Sequence, residues 1–187
     1  MIGSGGENRG IYDWTGNRWM IHSEGTTSAN TKVYLGNSTT ANDYAEPRNT
    51  LKELEPGRCV IETGYEDLIY STERLQRGCQ IVSDTYGFLI GGKFTEDEET
   101  EYIETPIAVA GRVLAYPYES IEEFKNHIGW PVCSGPNGTV SIMTEEEEIK
   151  YPSRIVGTIS QIPEVKTYKQ NGEETIKVNG RVWIKVK

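Results

Sequence analysis

The chain has 187 residues, of which 36% are hydrophobic and 20 are glycine, with a formal charge of −9. That length fits one domain, or one domain with a small appendage. The apolar content is lean for a self-sufficient core, which points to a β-rich protein that completes its core by oligomerising. The acidic balance opposes binding to nucleic acid or anionic lipid, and no apolar run approaches the ~20 residues of a membrane span, so neither is expected as a partner.

The chain opens on Met1-Ile2-Gly3-Ser4-Gly5-Gly6, which reads as a flexible leader with no signal-peptide pattern. Residues 1–41 are rich in Gly, Asn, Ser and Thr. Gly10-Ile11-Tyr12-Asp13 and Arg18-Trp19-Met20-Ile21-His22 flank the turn Thr15-Gly16-Asn17 and predict a hairpin. Lys32-Val33-Tyr34-Leu35 predicts a third strand. Three such strands bury no core alone, so this segment reads as the end of a fibre shaft supported by sister chains. The remainder, 42–187, reads as a separate β-rich domain.

Four short strands are predicted next, at 58–62, 68–71, 80–83 and 86–90. The run Glu96-Asp97-Glu98-Glu99 reads as a solvated loop. Ser120 and Glu123 predict a capped helix from Ile121 to His127, ended by Gly129. Thr144 and Glu147 predict a second capping box, with Pro152 stopping that helix. Between the helices, Pro131 to Ser134 and Thr139 to Met143 flank Gly135-Pro136-Asn137-Gly138, a hairpin whose Asn-Gly supplies positive φ.

Ile107-Ala108-Val109-Ala110-Gly111-Arg112-Val113 is echoed by Ile176-Lys177-Val178-Asn179-Gly180-Arg181-Val182. In the second copy Ile176, Val178, Val182, Ile184 and Val186 alternate with polar residues, Trp183 excepted. Both copies therefore read as strands, with each glycine buried mid-strand, and a turn at Asn179-Gly180 is the rejected alternative. The fold class expected is mostly β, barrel-like or sandwich-like, with two short helices.

The chain contains no Walker loop, nucleophile elbow or His-Glu-x-x-His pair. His22 and His127 neighbour no conventional nucleophile. Cys59, Cys79 and Cys133 have no metal-ligand spacing and read as small buried residues of a protein made in a reducing cytoplasm. No cofactor and no metal are expected. The tyrosines and tryptophans read as strand packing residues, with sugar stacking at a fibre tip as the alternative. Two carboxylates remain, Asp43 and Glu46, placed just after the polar stretch 36–42. A close carboxyl pair can hold one ionised and one neutral member, a base and an acid at one pH. Asn42 before them can also cyclise through its amide. The plain reading of the same residues is a surface turn or cap.

Asp43-Tyr44-Ala45-Glu46, Leu54-Glu55-Pro56-Gly57, Ile107 to Val113 and Val178 to Ile184, in that order, resemble the C-terminal region of bacteriophage tail-fibre and appendage proteins of the peptidase G2 type. That resemblance implies a self-cleaving intramolecular chaperone domain. It would promote homotrimer assembly of the preceding fibre shaft and then cut itself once, as a carboxylate peptidase, at the Asn42–Asp43 junction with Asp43 and Glu46 as the catalytic pair. It implies synthesis in the host cytoplasm and a place on the virion tail. Asn42 stands where the family carries a small residue. The alternative is a permanent, non-cleaving tip that binds a bacterial surface glycan or protein as receptor.

Overall fold

The computed structural model describes residues 43–64, 67–89, 102–170 and 173–186. The shaft strands expected within 1–41, His22, Asn42 and the acidic run at 96–99 lie outside the described residues. The described chain is mostly β, a curled antiparallel sheet forming a half-barrel, with two short helices.

In chain order the elements are β1 (Asp43–Thr50), β2 (Cys59–Glu62), β3 (Leu68–Tyr70), β4 (Gln80–Val82), β5 (Tyr86–Leu89), β6 (Ile103–Ala115), α1 (Ile121–Asn126), β7 (Pro131–Ser134), β8 (Val140–Ile142), α2 (Glu145–Lys150), β9 (Gly157–Gln161), β10 (Thr167–Gln170), β11 (Glu173–Lys177) and β12 (Val182–Val186). The main sheet runs β3-β2-β4-β6-β12-β9-β7-β8. β1 pairs with β6 and, in parallel, with β5.

β6 is the organising strand. β1 lies along one edge of it, from Asp43 opposite Gly111 to Thr50 opposite Ile103. The other edge carries β4 near Ala108 and β12 from Gly111 to Ala115. With both edges paired, β6 is apolar on both faces where it is covered, as a central strand requires. Val113, Ala115, Ile159, Val182 and Ile184 join Phe124 of α1 in the main core. On the opposite face Leu114 and Trp183 pack with Ile176, Val178 and Tyr168. This second cluster accounts for Trp183, the one residue that breaks the polar alternation of its strand. Its indole Nε1–H donates to the Tyr168 hydroxyl at 2.9 Å, which satisfies the polar edge of the buried ring.

The expected strands at 58–62, 68–71, 80–83 and 86–90 are present as β2 to β5, each within a residue or two of the predicted bounds. Both helices are also present. Ser120 caps α1 by accepting from the Glu123 amide, and Thr144 with Glu147 forms a complete capping box on α2. The β7–β8 hairpin turns through Asn137 and Gly138, both at positive φ.

The echo needs a correction. Its first copy is a strand throughout, but the second is broken. β11 ends at Lys177, and Asn179 (φ 48°) and Gly180 (φ 76°) form the turn that the sequence reading rejected. The Arg181 amide closes this turn on the Val178 carbonyl at 2.8 Å. Face counting failed because β11 and β12 do not pair with each other. β11 pairs with β10 in a separate two-stranded sheet, so the turn moves the chain between layers and need not preserve a hairpin register. Gly180 is exposed, and a Cβ there would meet open space.

Gly57 combines positive φ with a close approach. It has φ 89°, and a Cβ would stand 2.4 Å from Cδ of Arg181 and 3.0 Å from the Leu114 carbonyl oxygen. Gly57→Ala combines left-handed strain with overpacking and should cost roughly 2–4 kcal/mol. Gly180→Ala carries only the strain and should cost about 1 kcal/mol. Urea denaturation of the two variants checks the order.

Candidate functional site

Asp43 begins β1 and is almost wholly buried, at 4% exposure. Both strands beside it are irregular at this point. On β6, Tyr44 opposes Ala110 and Ala45 opposes Ala108, which leaves Val109 as the extra residue of a bulge. On β5, Asp43 opposes Tyr86 and Tyr44 opposes Phe88, which skips Gly87. Bulges re-aim side chains and interrupt pairing, and they are frequent beside functional sites.

The Asp43 carboxyl meets a polar turn, Ser83-Asp84-Thr85. The Thr85 hydroxyl donates to Oδ1 of Asp43 at 2.8 Å. The Thr85 amide in turn donates to the Ser83 hydroxyl at 3.0 Å, which fixes the turn on itself. Ser83 and Thr85 are both buried. Oδ2 of Asp43 is buried with no hydrogen-bond partner among the described residues. Burial pushes the Asp43 carboxyl up to about 6, and the nearby Asp84 carboxylate pushes the same way, against the hydroxyls of Thr85 and Ser83. The acid therefore exchanges its proton close to neutral pH, the property a side chain needs to act as acid or base there.

Behind the turn lies a buried cation. Arg181, 3% exposed, makes a two-pronged bridge to Asp84, with Nη1 to Oδ1 and Nη2 to Oδ2 both at 2.8 Å. Its other donors reach the Val178 and Lys177 carbonyls. The stem lies against Gly57, and the guanidinium is 5.9 Å from the Tyr116 ring centre. Tyr116 donates its hydroxyl to Glu55 at 2.8 Å, and the Gly57 amide donates to the Val82 carbonyl at 2.8 Å.

Asp43 and Glu46, paired in the sequence reading, do not share a face within one chain. Asp43 and Ala45 face inward, while Tyr44 and Glu46 are exposed on the other side of β1. The residues that do gather around Asp43 are Ser83, Asp84, Thr85 and, through Asp84, Arg181. Gly57 and Arg181 sit in motifs that the sequence reading singled out, but nothing there marked them as neighbours. Ser83-Asp84-Thr85 carried no signal beyond that of a turn.

The three cysteines also converge. Cys59 and Cys133 are buried and Cys79 is half-buried, all as free thiols. A hydrogen bond between Cys59 and Cys79 raises the first thiol and lowers the second, so Cys79 is the one that ionises first.

A second feature is a surface cleft of about 640 Å³ beside the two helices, with Glu119, Glu123, His127, Trp130 and Thr144 in its lining. Arg74 also lines it, bridging Glu119 at 3.3 Å and Glu147 at 2.7 Å.

No family model and no curated protein matches the chain. Among solved structures, the fold is similar to that of the pre-mature bacteriophage phi29 gene product 12, with a TM-score of 0.50 and 13% sequence identity. The likeness covers 87% of this chain but only 23% of that protein, so the chain corresponds to a minor part of its length.

The raised Asp43 acid has a stability consequence with a definite sign. Its folded value lies above its unfolded one, so its stabilising contribution is present below about pH 4 and is lost as pH rises through about 6. Asp43→Asn removes the charged form. The stability of this variant relative to wild type should rise by roughly 2–3 kcal/mol between pH 4 and pH 8. Denaturant titrations of both proteins at the two pH values measure it.

Proposed function

We propose that the chain is the C-terminal part of a phage tail appendage, that it promotes homotrimer assembly of the shaft before it, and that it then cuts the Asn42–Asp43 bond. The observation that carries this reading is a buried carboxyl at the first residue of β1, held well above the usual carboxylate range by that burial. Two strand bulges and an Oδ2 with no partner among the described residues accompany it. The fold of phi29 gene product 12 and the order of the sequence motifs support the phage appendage context.

The cut is a hydrolysis. A water oxygen adds to the Asn42 carbonyl carbon, and its proton passes to a carboxylate. The carbon–nitrogen bond then breaks as the Asp43 nitrogen takes up a proton. One water is consumed, leaving a carboxylate on Asn42 and an amine on Asp43. Asp43 and Glu46 divide these two proton transfers. Glu46 faces away from Asp43 on β1, so it serves the Asp43 of a neighbouring copy across the trimer seam. The same outer face of β1 and β6 exposes Tyr44, Val109 and Ile103, apolar surface suited to burial between copies. Loss of the domain after assembly would remove the nucleus for refolding and lock the shaft kinetically.

A permanent receptor-binding tip is the second reading. It draws on the cleft with Trp130, whose ring meets His127 edge-on at 4.8 Å between centroids.

The test uses the whole 187-residue chain. Wild type should sediment as a trimer and acquire a new N-terminus at Asp43. Asp43→Asn and Glu46→Gln should each stay whole, and the two co-expressed variants should regain part of the cut. A trimer that remains intact between pH 5 and pH 8 would favour the permanent tip, and a stable monomer would rule out the homotrimer.

A further inference from the structure

We propose that Thr85 is the positioning residue for Asp43, and that the Arg181–Asp84 bridge holds Thr85 in place, so that the site is complete only once the segment leading into β12 has docked. The role in cutting rests on the proposed hydrolysis at Asp43, whereas the positioning itself can be read without it.

The path is short and consists of direct contacts. Arg181 grips both carboxylate oxygens of Asp84 at 2.8 Å. Asp84 is the middle residue of the turn whose outer members bond to each other, and Thr85 hands its hydroxyl hydrogen to Asp43. The turn is also anchored to β6, since the Ser83 amide donates to the Pro106 carbonyl at 2.9 Å. A fork-on-fork guanidinium–carboxylate pair fixes direction as well as distance. Burying an arginine is costly unless good geometry and further hydrogen bonds offset the desolvation, and here all three guanidinium nitrogens are engaged.

The order of synthesis gives this path a consequence. Asp43, Asp84 and Thr85 are all made before Arg181, which lies just ahead of the last strand. Until Arg181 arrives, Asp84 lacks its cation and the turn lacks its clamp. A partly synthesised chain therefore has the acid but not its orientation, and a cut before the chaperone domain has finished folding is avoided.

Among the described residues, the charged groups around Asp43 are Asp84 in the turn and Arg181 behind it. The strand neighbours are Tyr86 of β5 and Gly111 of β6. Losing the Thr85 donor removes a bond that favours the ionised acid, so the Asp43 midpoint should rise.

The experiment follows the Asp43 side-chain carbonyl by ¹³C NMR from pH 3 to pH 9 in the full chain, together with the rate of appearance of the Asp43 N-terminus. Thermal melts confirm folding. Thr85→Val should raise the midpoint by about one pH unit and slow the cut about ten- to a hundredfold. Thr85→Ser, which keeps the donor, should restore both. Arg181→Lys keeps the charge but loses the fork, and should move the midpoint and the rate in the direction of Thr85→Val. If the lysine variant does not fold, the Thr85 pair decides alone. A folded Thr85→Val with wild-type midpoint and wild-type rate overturns the proposal. Wild type that never cuts, with midpoints that still move as stated, supports the positioning network and overturns the hydrolysis.

Discussion

The buried Arg181 guanidinium is the constraint on which the rest of the site depends. A cation at 3% exposure needs partners for its donors, and all three of its nitrogens find them in Asp84 and in the carbonyls of Val178 and Lys177. Meeting that need dictates several other features. The chain must turn sharply at Asn179-Gly180, so that Arg181 leaves the outer layer and points inward. Residue 57 must lack a side chain to admit the stem. Asp84 must lie at the head of its turn, which sets Ser83 and Thr85 on either side of it and delivers a hydroxyl to Asp43. Segments far apart in sequence are thus joined by one ionic contact.

Much of the architecture was legible in the sequence because it is governed by local rules. Helix caps at Ser120 and Thr144, and the Asn137-Gly138 turn, depend on residues within a few positions of each other, and they fold as the pattern implies. The period-two alternation of Val182, Ile184 and Val186 is likewise a property of one strand. What could not be read was set by layers. Trp183 breaks the alternation because a second sheet covers its face. Asn179-Gly180 is a turn because the chain changes sheets there. The thiols of Cys59, Cys79 and Cys133 meet because strand pairing folds distant segments together. Asp43 was identifiable as a carboxylate at a junction, but its partners were not, since Thr85 and Asp84 acquire meaning only through Arg181. The inward and outward split of Asp43 and Glu46 follows from strand geometry, and a motif read as four adjacent letters conceals it.

The energetics of the site are compatible with the proposed single cut. Burying a carboxyl that would otherwise ionise destabilises the folded chain progressively from about pH 4, with the full cost present above about pH 6. An Asn in its place would avoid that cost, so the acid is retained against stability. Such local expense is expected where chemistry is performed. Bulges at Val109 and Gly87 loosen the pairing on both sides of β1 at its first residues, while the remainder of β1 is zipped to β6 through the Thr50–Thr105 hydroxyl pair at 2.8 Å. β1 is therefore firmly held downstream of Asp43 and irregular at it, which suits the proposed cut, since the strand would stay paired after it.

The central claim is that a carboxyl at the head of β1 drives water into the bond before it. Incubating the full chain in ¹⁸O-labelled water and weighing the released N-terminal fragment tests this most directly. Hydrolysis predicts a fragment ending at Asn42 with a single heavy oxygen in its new carboxylate, and a partner fragment that begins at an unmodified Asp43. A chain that stays whole, or an N-terminal fragment released as an Asn42 succinimide, would contradict the account.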